Sequence, residues 1–449
     1  MTDWVGTARA LVPVRRSVRV GVTGLARAGK TALLTSIAAN LLATGAGAPA
    51  LPAVIARLAG RKFRVAVAPG GAEDLPRFDT AAHLAALARD PPSWPARTQA
   101  ISVLSLDLEI GHAGLLSALP PQRVRLELLD YPGEWLLDLP LLGLGFGAWS
   151  ATALRRVEKR REAAEFLAFI RALPATAAAD DKLARVGHRL YRALLHRLRD
   201  EAGLSMMQPG RFLMPAPGAE PPWLEFFPFA GDAPLTGLLR ARYEAYVEAV
   251  RAQLMAPAFA RIDRLVVLAD LLSALHAGPA AFADAAAALT EVAEALRWSG
   301  PSMLPDWLST LLGFGITRVA FAATKADHVA DRQRGNLAAL AAAVTSPPLP
   351  SGLHSAAFAV ASVRCTEDVV WTLDGHPVSA VRGRVAGAER AGRSYPGEVP
   401  DRPPGFEFWA HPFLALPDFE PLRLPRDGKG GVPNVNLDAL LAFLLEDVL

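Results

Sequence analysis

Gly24-Leu25-Ala26-Arg27-Ala28-Gly29-Lys30-Thr31 (GLARAGKT) is the stretch whose reading decides the fold. It fits G-x-x-x-x-G-K-[ST]. Its glycines let successive backbone N–H groups close around a phosphate chain, Lys30 reaches the terminal phosphate oxygens, and Thr31 offers a hydroxyl to Mg2+. The candidate nucleotide-binding residues here are Gly24, Arg27, Ala28, Gly29, Lys30, Thr31 and Ala32. Val18 to Val22 alternates apolar and polar residues before the loop. Ala32 to Leu42 is apolar and helix-prone after it, until a Gly/Pro-rich patch ends it. Strand, glycine loop and helix in that order are the local form of a mononucleotide-binding unit.

Downstream, residues 45–95 read as irregular and partly helical. Ile101 to Ile110 alternates as a strand does, and Val124 to Leu129 forms a second strand that runs into Asp130-Tyr131-Pro132-Gly133. The short link between them predicts an antiparallel pair. Asp130 is placed for the Mg2+ shell and Gly133 offers an N–H to the γ-phosphate. From Ser150 the texture changes: Arg155 to Leu173, Asp180 to Leu204 and Leu235 to Leu254 read as amphipathic helices, with a Pro-, Met- and aromatic-rich loop between. Strand texture returns at Arg264 to Leu268, Arg318 to Ala323 and Ala356 to Ser362, with helices at Ala280 to Leu296 and Arg332 to Val344. Trp371 to Arg384 carries an Asp374-Gly375 hairpin turn, and Asn436 to Leu449 is an apolar-faced helix.

Thr324-Lys325-Ala326-Asp327 follows a strand. The Asp327 carboxylate is suited to accept from the N1–H and N2–H2 of guanine, which adenine cannot offer, while the Lys325 stem lies against the ring. Ser362, Val363 and Arg364 either supply a backbone N–H to guanine O6 or are a plain strand end.

Composition narrows the class. In 449 residues, 47 Lys+Arg against 44 Asp+Glu leave a net charge of +3, too little for an electrostatic footprint on nucleic acid. A chain 51% hydrophobic and 20% charged is neither disordered nor fibrous. One cysteine excludes a disulfide framework and suits a reducing compartment. No apolar run has the length and composition of a spanning helix, and the start lacks the order of a signal peptide. The expected location is cytoplasmic.

The ordered set GLARAGKT, DYPG, TKAD and ASVR resembles the P-loop GTPases. With Trp94 to Thr98 (WPART) and Leu128 to Leu142 (LLDYPGEWLLDLPLL), the chain is similar to the YcjX-like family of bacterial GTP-binding proteins linked to envelope stress. The resemblance implies an α/β fold, G-domain-like, with a mainly parallel doubly wound sheet, a large helical insertion and a C-terminal extension. It implies a GTPase domain in two parts, 1–149 and 261–370, an insertion at 150–260 and an extension at 371–449. It also implies GTP or GDP as ligand and Mg2+ held by Thr31, Thr98 and Asp130, Thr98 standing where the switch threonine closes onto the metal. Two departures matter. Glu134 stands where small GTPases use Gln, and either orients the attacking water or is idle. Thr324 begins the guanine motif where Asn is commoner. Arg27 resembles the internal arginine finger of guanylate-binding, dynamin-related proteins; its alternatives are a solvent-facing side chain and a salt bridge to segment 45–95. Arg27, Thr98, Gly133 and Glu134 are thus the candidate catalytic residues.

The function expected is a Mg2+-dependent GTPase acting as a slow stress-response switch. The rival is a guanine-nucleotide-binding scaffold with negligible turnover whose helical region binds a protein or, peripherally, the inner membrane; a dynamin-like remodelling enzyme ranks last for want of a stalk. The basic run Arg155 to Arg161 reads as a solvated helix face or an anionic-lipid contact. His188 and His196 read as surface residues, Cys365 as a small apolar filler, and Asp270 as the start of a turn.

Overall fold

The computed structural model describes residues 16–25, 27–68, 75–95, 101–130, 137–205, 208–213, 220–254, 262–297, 316–345, 353–410, 416–425 and 430–449. Its centre is a seven-stranded sheet: β1 (Arg16–Gly24), β2 (Phe63–Val67), β3 (Ser102–Ile110), β4 (Gln122–Asp130), β5 (Arg264–Ala269), β6 (Arg318–Ala323) and β7 (His354–Ala359). The order is β2-β3-β4-β1-β5-β6-β7. From β4 to β7 all neighbours run parallel, while β3 pairs antiparallel with both β4 and β2. The sheet is therefore mixed α/β and mostly parallel, as the sequence leads one to expect. β5 (RLVVLA) and β6 (RVAFAA) are buried at every position, because helices cover both faces of a parallel sheet.

β2 lies in the stretch read as irregular. It is a short edge strand with alternate residues exposed and two of its five positions Arg and Ala, so its sequence carries little strand signal. α1 (Lys30–Gly45) is buried nearly all round, with Leu33, Leu34, Ile37 and Leu41 inside. α2 (Pro52–Leu58) and α3 (Thr80–Leu87) follow it. The Asn40 side chain of α1 donates to the Val432 carbonyl at 3.1 Å and accepts from the Val432 N–H at 3.2 Å, tying the C-terminal segment to the first helix.

Between β4 and β5 the described residues form four α-helices: α4 (Phe146–Val157), α5 (Ala164–Ala172), α6 (Asp181–Asp200) and α7 (Pro234–Leu254). They enclose an aromatic core of Trp149, Phe166, Tyr191, Phe212, Phe226, Phe227, Tyr243 and Tyr246, mostly in edge-to-face contact. Gly187 on α6 makes room for Phe227, since a Cβ there would lie 2.2 Å from the ring. Two expectations are corrected here, for the basic run and for His188. The helix expected from Arg155 to Leu173 is two helices with a break between, so Arg155 to Arg161 forms no single basic face; Arg156 pairs with Glu291. The uncharged stretch before it supplies core, with Leu141, Phe146 and Trp149 buried. His188 is 3% exposed, its ring edge-on to Phe212, because position 188 falls on the apolar side of α6. His196 is half-buried.

α8 (Leu271–Ala277) and α9 (Pro279–Arg297) follow β5, and α10 (Asp331–Thr345) links β6 to β7. A separate three-stranded sheet holds β8 (Thr366–Leu373), β9 (His376–Arg384) and β10 (Ala391–Ser394), the β8–β9 turn falling at Asp374 and Gly375 as expected. The final helix, α11 (Leu437–Leu444), packs on the main sheet, and Glu446 and Asp447 beyond it bind Arg318 and Arg264 at the strand starts. The expected boundary at 149/150 falls inside α4, and that at 370/371 inside β8. Among the described residues, no helix is long and apolar enough to cross a membrane.

Candidate functional site

The loop of Gly24 to Thr31 leaves the C-terminal end of β1. Gly24 is forced by close approach: a Cβ there would sit 2.4 Å from the Leu268 carbonyl oxygen of β5. Leu25 N–H donates to that same oxygen at 2.9 Å, which pins the loop to the neighbouring strand. Gly29 caps α1 with φ 84°, a left-handed conformation that glycine adopts without strain, and its Cβ position is open space. The result is a glycine-opened helix N-terminus, the arrangement that favours phosphate. Lys30, half-buried, folds back so that Nζ reaches the Gly24 carbonyl at 3.4 Å. Thr31 and Ala32 open the helix beside it, while Ala28 is buried beneath the loop at 1% exposure.

Arg27 has φ 62° and an exposed side chain, and its guanidinium pairs with Asp200 at 3.4 Å. Its partner is the end of α6, not segment 45–95. Arg199 also holds Asp200, and these hydrogen bonds, Arg199 first, keep the carboxyl below its ordinary range. The helical region therefore touches the glycine loop directly.

β4 runs parallel to β1 with Asp130 opposite Val22, so the Asp130 carboxylate ends its strand on the same edge as the loop and is 2% exposed. His83, which no sequence motif singles out, stands near it. Burial lowers the His83 pKa, against the pull of Asp79 and Asp130. Thr98, Gly133 and Glu134 lie outside the described residues.

Two strands along the same edge, Thr324 N–H donates to the Ala269 carbonyl at 2.9 Å, and Lys325 takes φ 60°. Lys325 Nζ binds Asp270 at 2.7 Å and Ser273 Oγ at 3.2 Å. Burial works against its charge, but Asp270 outweighs it and holds the Lys325 pKa above its ordinary value. Asp270 caps α8 by accepting from Ser273 N–H, so it does start a turn and also anchors this lysine. Asp327 is 1% exposed; its Oδ2 accepts from the Cys365 N–H at 2.7 Å and from Cys365 Sγ at 2.9 Å. Burial, then Asp327, pushes the Cys365 thiol far up, which keeps it a protonated donor. Cys365 is thus more than the filler expected: it lies against Val381 and Phe419 and also fixes the Asp327 carboxylate.

Ser362, Val363 and Arg364 follow β7 at the same edge. Arg364 is removed from the set expected to meet guanine O6: its N–H donates to the Pro433 carbonyl at 2.7 Å, and its guanidinium turns to Thr366 and Asp368. Ser362 and Val363 lie just after the strand end, at the same edge as the other candidate residues. The fold thus brings Gly24, Arg27, Ala28, Gly29, Lys30, Thr31, Ala32, Asp130, Lys325, Asp327, Ser362 and Val363 to one edge, where parallel strands of an open sheet end. Asp200, Asp270 and Cys365 contact Arg27, Lys325 and Asp327, and no local motif marks them, since each is joined to its partner only by folding.

A profile of the YcjX-like family, DUF463, matches residues 18–449. The chain is 34% identical to the protein named Ras-like GTPase YcjX of Escherichia coli (strain K12), with 97% of each chain covered. It is 32% identical to the protein of the same name from Shewanella oneidensis (strain ATCC 700550 / JCM 31522 / CIP 106686 / LMG 19005 / NCIMB 14063 / MR-1), over 97% of this chain and 95% of that one. The glycine loop, the strand-end aspartate and the guanine-type motif on one sheet edge agree with these likenesses, and the chain belongs to the YcjX-like family.

Proposed function

We propose that the protein binds guanine nucleotide and hydrolyses GTP to GDP and phosphate with Mg2+. One observation carries this reading: Lys30 and Thr31 in the turn after β1, Asp130 at the end of β4 and Asp327 just after β6 lie along one edge of one sheet, which offers groups for phosphates, metal and base side by side. The names of the two relatives support GTP as the nucleotide. A hydroxyl from Thr31 and a carboxylate from Asp130 are hard oxygen donors that suit Mg2+, with Thr98 as a third. Bound there, the ion neutralises charge on the β- and γ-phosphates.

The chain's own residues supply the rest. Loop N–H groups at the start of α1 and the Lys30 ammonium hold the triphosphate. Asp327 accepts from the guanine N1–H and N2–H2, and the N–H of Ser362 or Val363 meets O6. The Gly133 N–H meets the γ-phosphate and Glu134 orients the attacking water. Arg27, released from Asp200, reaches the β–γ bridge. The domain division of 1–149, 150–260, 261–370 and 371–449, a cytoplasmic location and the role of a slow stress-response switch belong to the same proposal.

The Arg27–Asp200 pair also favours a second reading, a nucleotide-binding scaffold with little turnover, whose helical region binds a protein partner. Single-turnover hydrolysis of radiolabelled GTP by the purified protein decides between them. Release of phosphate that excess ATP does not suppress is the expected result. Tight GTP binding without phosphate release supports the scaffold, and equal affinity for ATP and GTP defeats both.

A further inference from the structure

At the pole opposite the nucleotide edge, the β3–β4 hairpin ends in an apolar tip. β4 runs parallel to β1, so its start and the hairpin turn lie at the far end of the sheet from the glycine loop. Ile110 to Gln122 (IGHAGLLSALPPQ) contains no Asp, Glu, Lys or Arg. A helical turn, Gly114–Ala118, sits in it, and the Leu119 N–H donates to the Leu116 carbonyl at 2.9 Å, so these two leucines share one tight turn. Their exposures are 58% and 51%. The turn is braced at its base, where His112 Nε2 lies 3.1 Å from the Pro120 carbonyl and Gly111 N–H donates to the Lys62 carbonyl at 2.8 Å. Folding supplies no partner for the leucines among the described residues, yet it builds a defined turn to hold them out.

The charge around the tip gives the occupant. Lys62, just before the adjoining edge strand β2, and Arg64 on it are exposed, and neither has an ion pair among the described residues. Arg64 stands opposite Glu109, which also faces Arg123 at 3.3 Å, leaving two cations around one acid. Of the carboxylates at this pole, Glu446, Asp447 and Asp263 face Arg57, Arg318, Arg264 and Arg16. A protruding pair of leucines above a collar in which Lys62, Arg64 and Arg123 gather around one acid, Glu109, fits a layered partner, anionic at its surface and apolar just beneath. We propose that this tip docks the protein on an anionic phospholipid bilayer, Leu116 and Leu119 entering the headgroup–acyl boundary while Lys62, Arg64 and Arg123 meet the phosphates. The nucleotide edge then faces away from the membrane.

Co-sedimentation with vesicles of phosphatidylcholine, with and without phosphatidylglycerol, tests this. The wild type is expected to pellet with the anionic vesicles and to stay in solution with the neutral ones, losing binding as salt rises. Leu116→Ser/Leu119→Ser and Lys62→Glu/Arg64→Glu should each lower the bound fraction, by about tenfold in affinity, with thermal melting unchanged because the altered groups are exposed. In Leu116→Trp, the new indole emission should shift to the blue on adding anionic vesicles. A wild type that remains in the supernatant at low salt, or a serine pair that pellets as the wild type does, overturns the proposal and leaves the leucines to a protein partner.

Discussion

The strand edge and the helical region are built on opposite plans. Along the edge, backbone geometry does the positioning: Gly29, Arg27 and Lys325 take left-handed φ values, and the polar side chains are held by carbonyls and acids a few residues or one strand away. The helical region instead positions its residues by packing rings, and it buries titratable groups, Asp138 and His188 among them, inside that packing. One region gathers charged groups along a strand edge, from the exposed Arg27 to the buried Asp130 and Asp327; the other sets its buried charge among aromatic rings. They meet at Arg27–Asp200, while inside the helical region the Asp138 carboxylate accepts from the Tyr246 hydroxyl at 2.5 Å and from the Gly210 N–H at 2.7 Å. Activity should therefore depend on the edge and pH-dependent stability on the helical region, and variants can separate the two.

The largest effect is expected at Lys30. Lys30→Ala removes the ammonium that meets the phosphates, and hydrolysis should fall by about a thousandfold or more. Melting should stay put, because the only bond that Nζ makes among the described groups is a long one to the Gly24 carbonyl. If melting falls in step with activity, the distinction between the two regions breaks.

Arg27 comes next, as the residue on the border. Arg27→Ala should slow single-turnover hydrolysis by about a hundredfold while GTP affinity changes much less, since the ground-state triphosphate is held elsewhere. Arg27→Lys should restore only part of the rate, an ammonium being unable to bridge two oxygens in one plane. A rate within about threefold of wild type for Arg27→Ala removes the finger and favours the scaffold.

Asp327→Asn sharpens the edge further. The amide oxygen can keep the Cys365 N–H bond, which turns the NH2 toward the base. GTP affinity should drop by about tenfold to a hundredfold and affinity for xanthine nucleotides should rise, as expected when a charge-assisted pair is lost. Competition titrations with GTP, XTP and ATP read this directly, and an unchanged preference would show that Asp327 serves only to hold Cys365.

The contrast also explains what could be read in the sequence. Along the edge each signal is local: Gly29, Lys30 and Thr31 are consecutive, and β6 with Thr324 to Asp327 forms one continuous run, so strands and motifs are legible together. The exceptions are instructive. β2 carries only half a strand's apolar pattern because one face stays in water. Cys365 is thirty-eight residues from Asp327, and Asp200 is 173 from Arg27, distances over which spacing carries no information. In the helical region, the position of His188 on an Arg-rich helix suggests a surface, and only the arrival of Phe212 and Phe226 from a later loop buries it. A helical period identifies one apolar face but not the ring that will be laid against it.

The last effect, nearly cancelled in the wild type and belonging to the helical region alone, concerns pH. Burial pushes the Asp138 carboxyl from its ordinary 3.8 up to about 6, although Tyr246 and Gly210 pull the other way. Between those values the folded chain holds a proton that the unfolded chain has released, so this group's contribution to stability is full below pH 3.8 and is lost as pH rises to 6. His188 has the opposite sign. Burial lowers its pKa from 6.5 to about 4, so there the unfolded chain holds the proton, and stability grows as pH rises from 4 to 6.5. Across its window each group changes stability by about 3 kcal/mol, since one bound proton is worth about 1.4 kcal/mol for every pH unit crossed, and over the shared window the two nearly cancel in the wild type. Asp138→Asn should leave the His188 slope exposed, with stability rising more steeply than wild type between pH 4 and 6 in urea titrations. His188→Gln should tilt the profile the other way, whatever uniform loss either variant suffers from repacking. Two variants that shift the curve without changing its slope relative to wild type would mean that neither group changes its proton occupancy on folding.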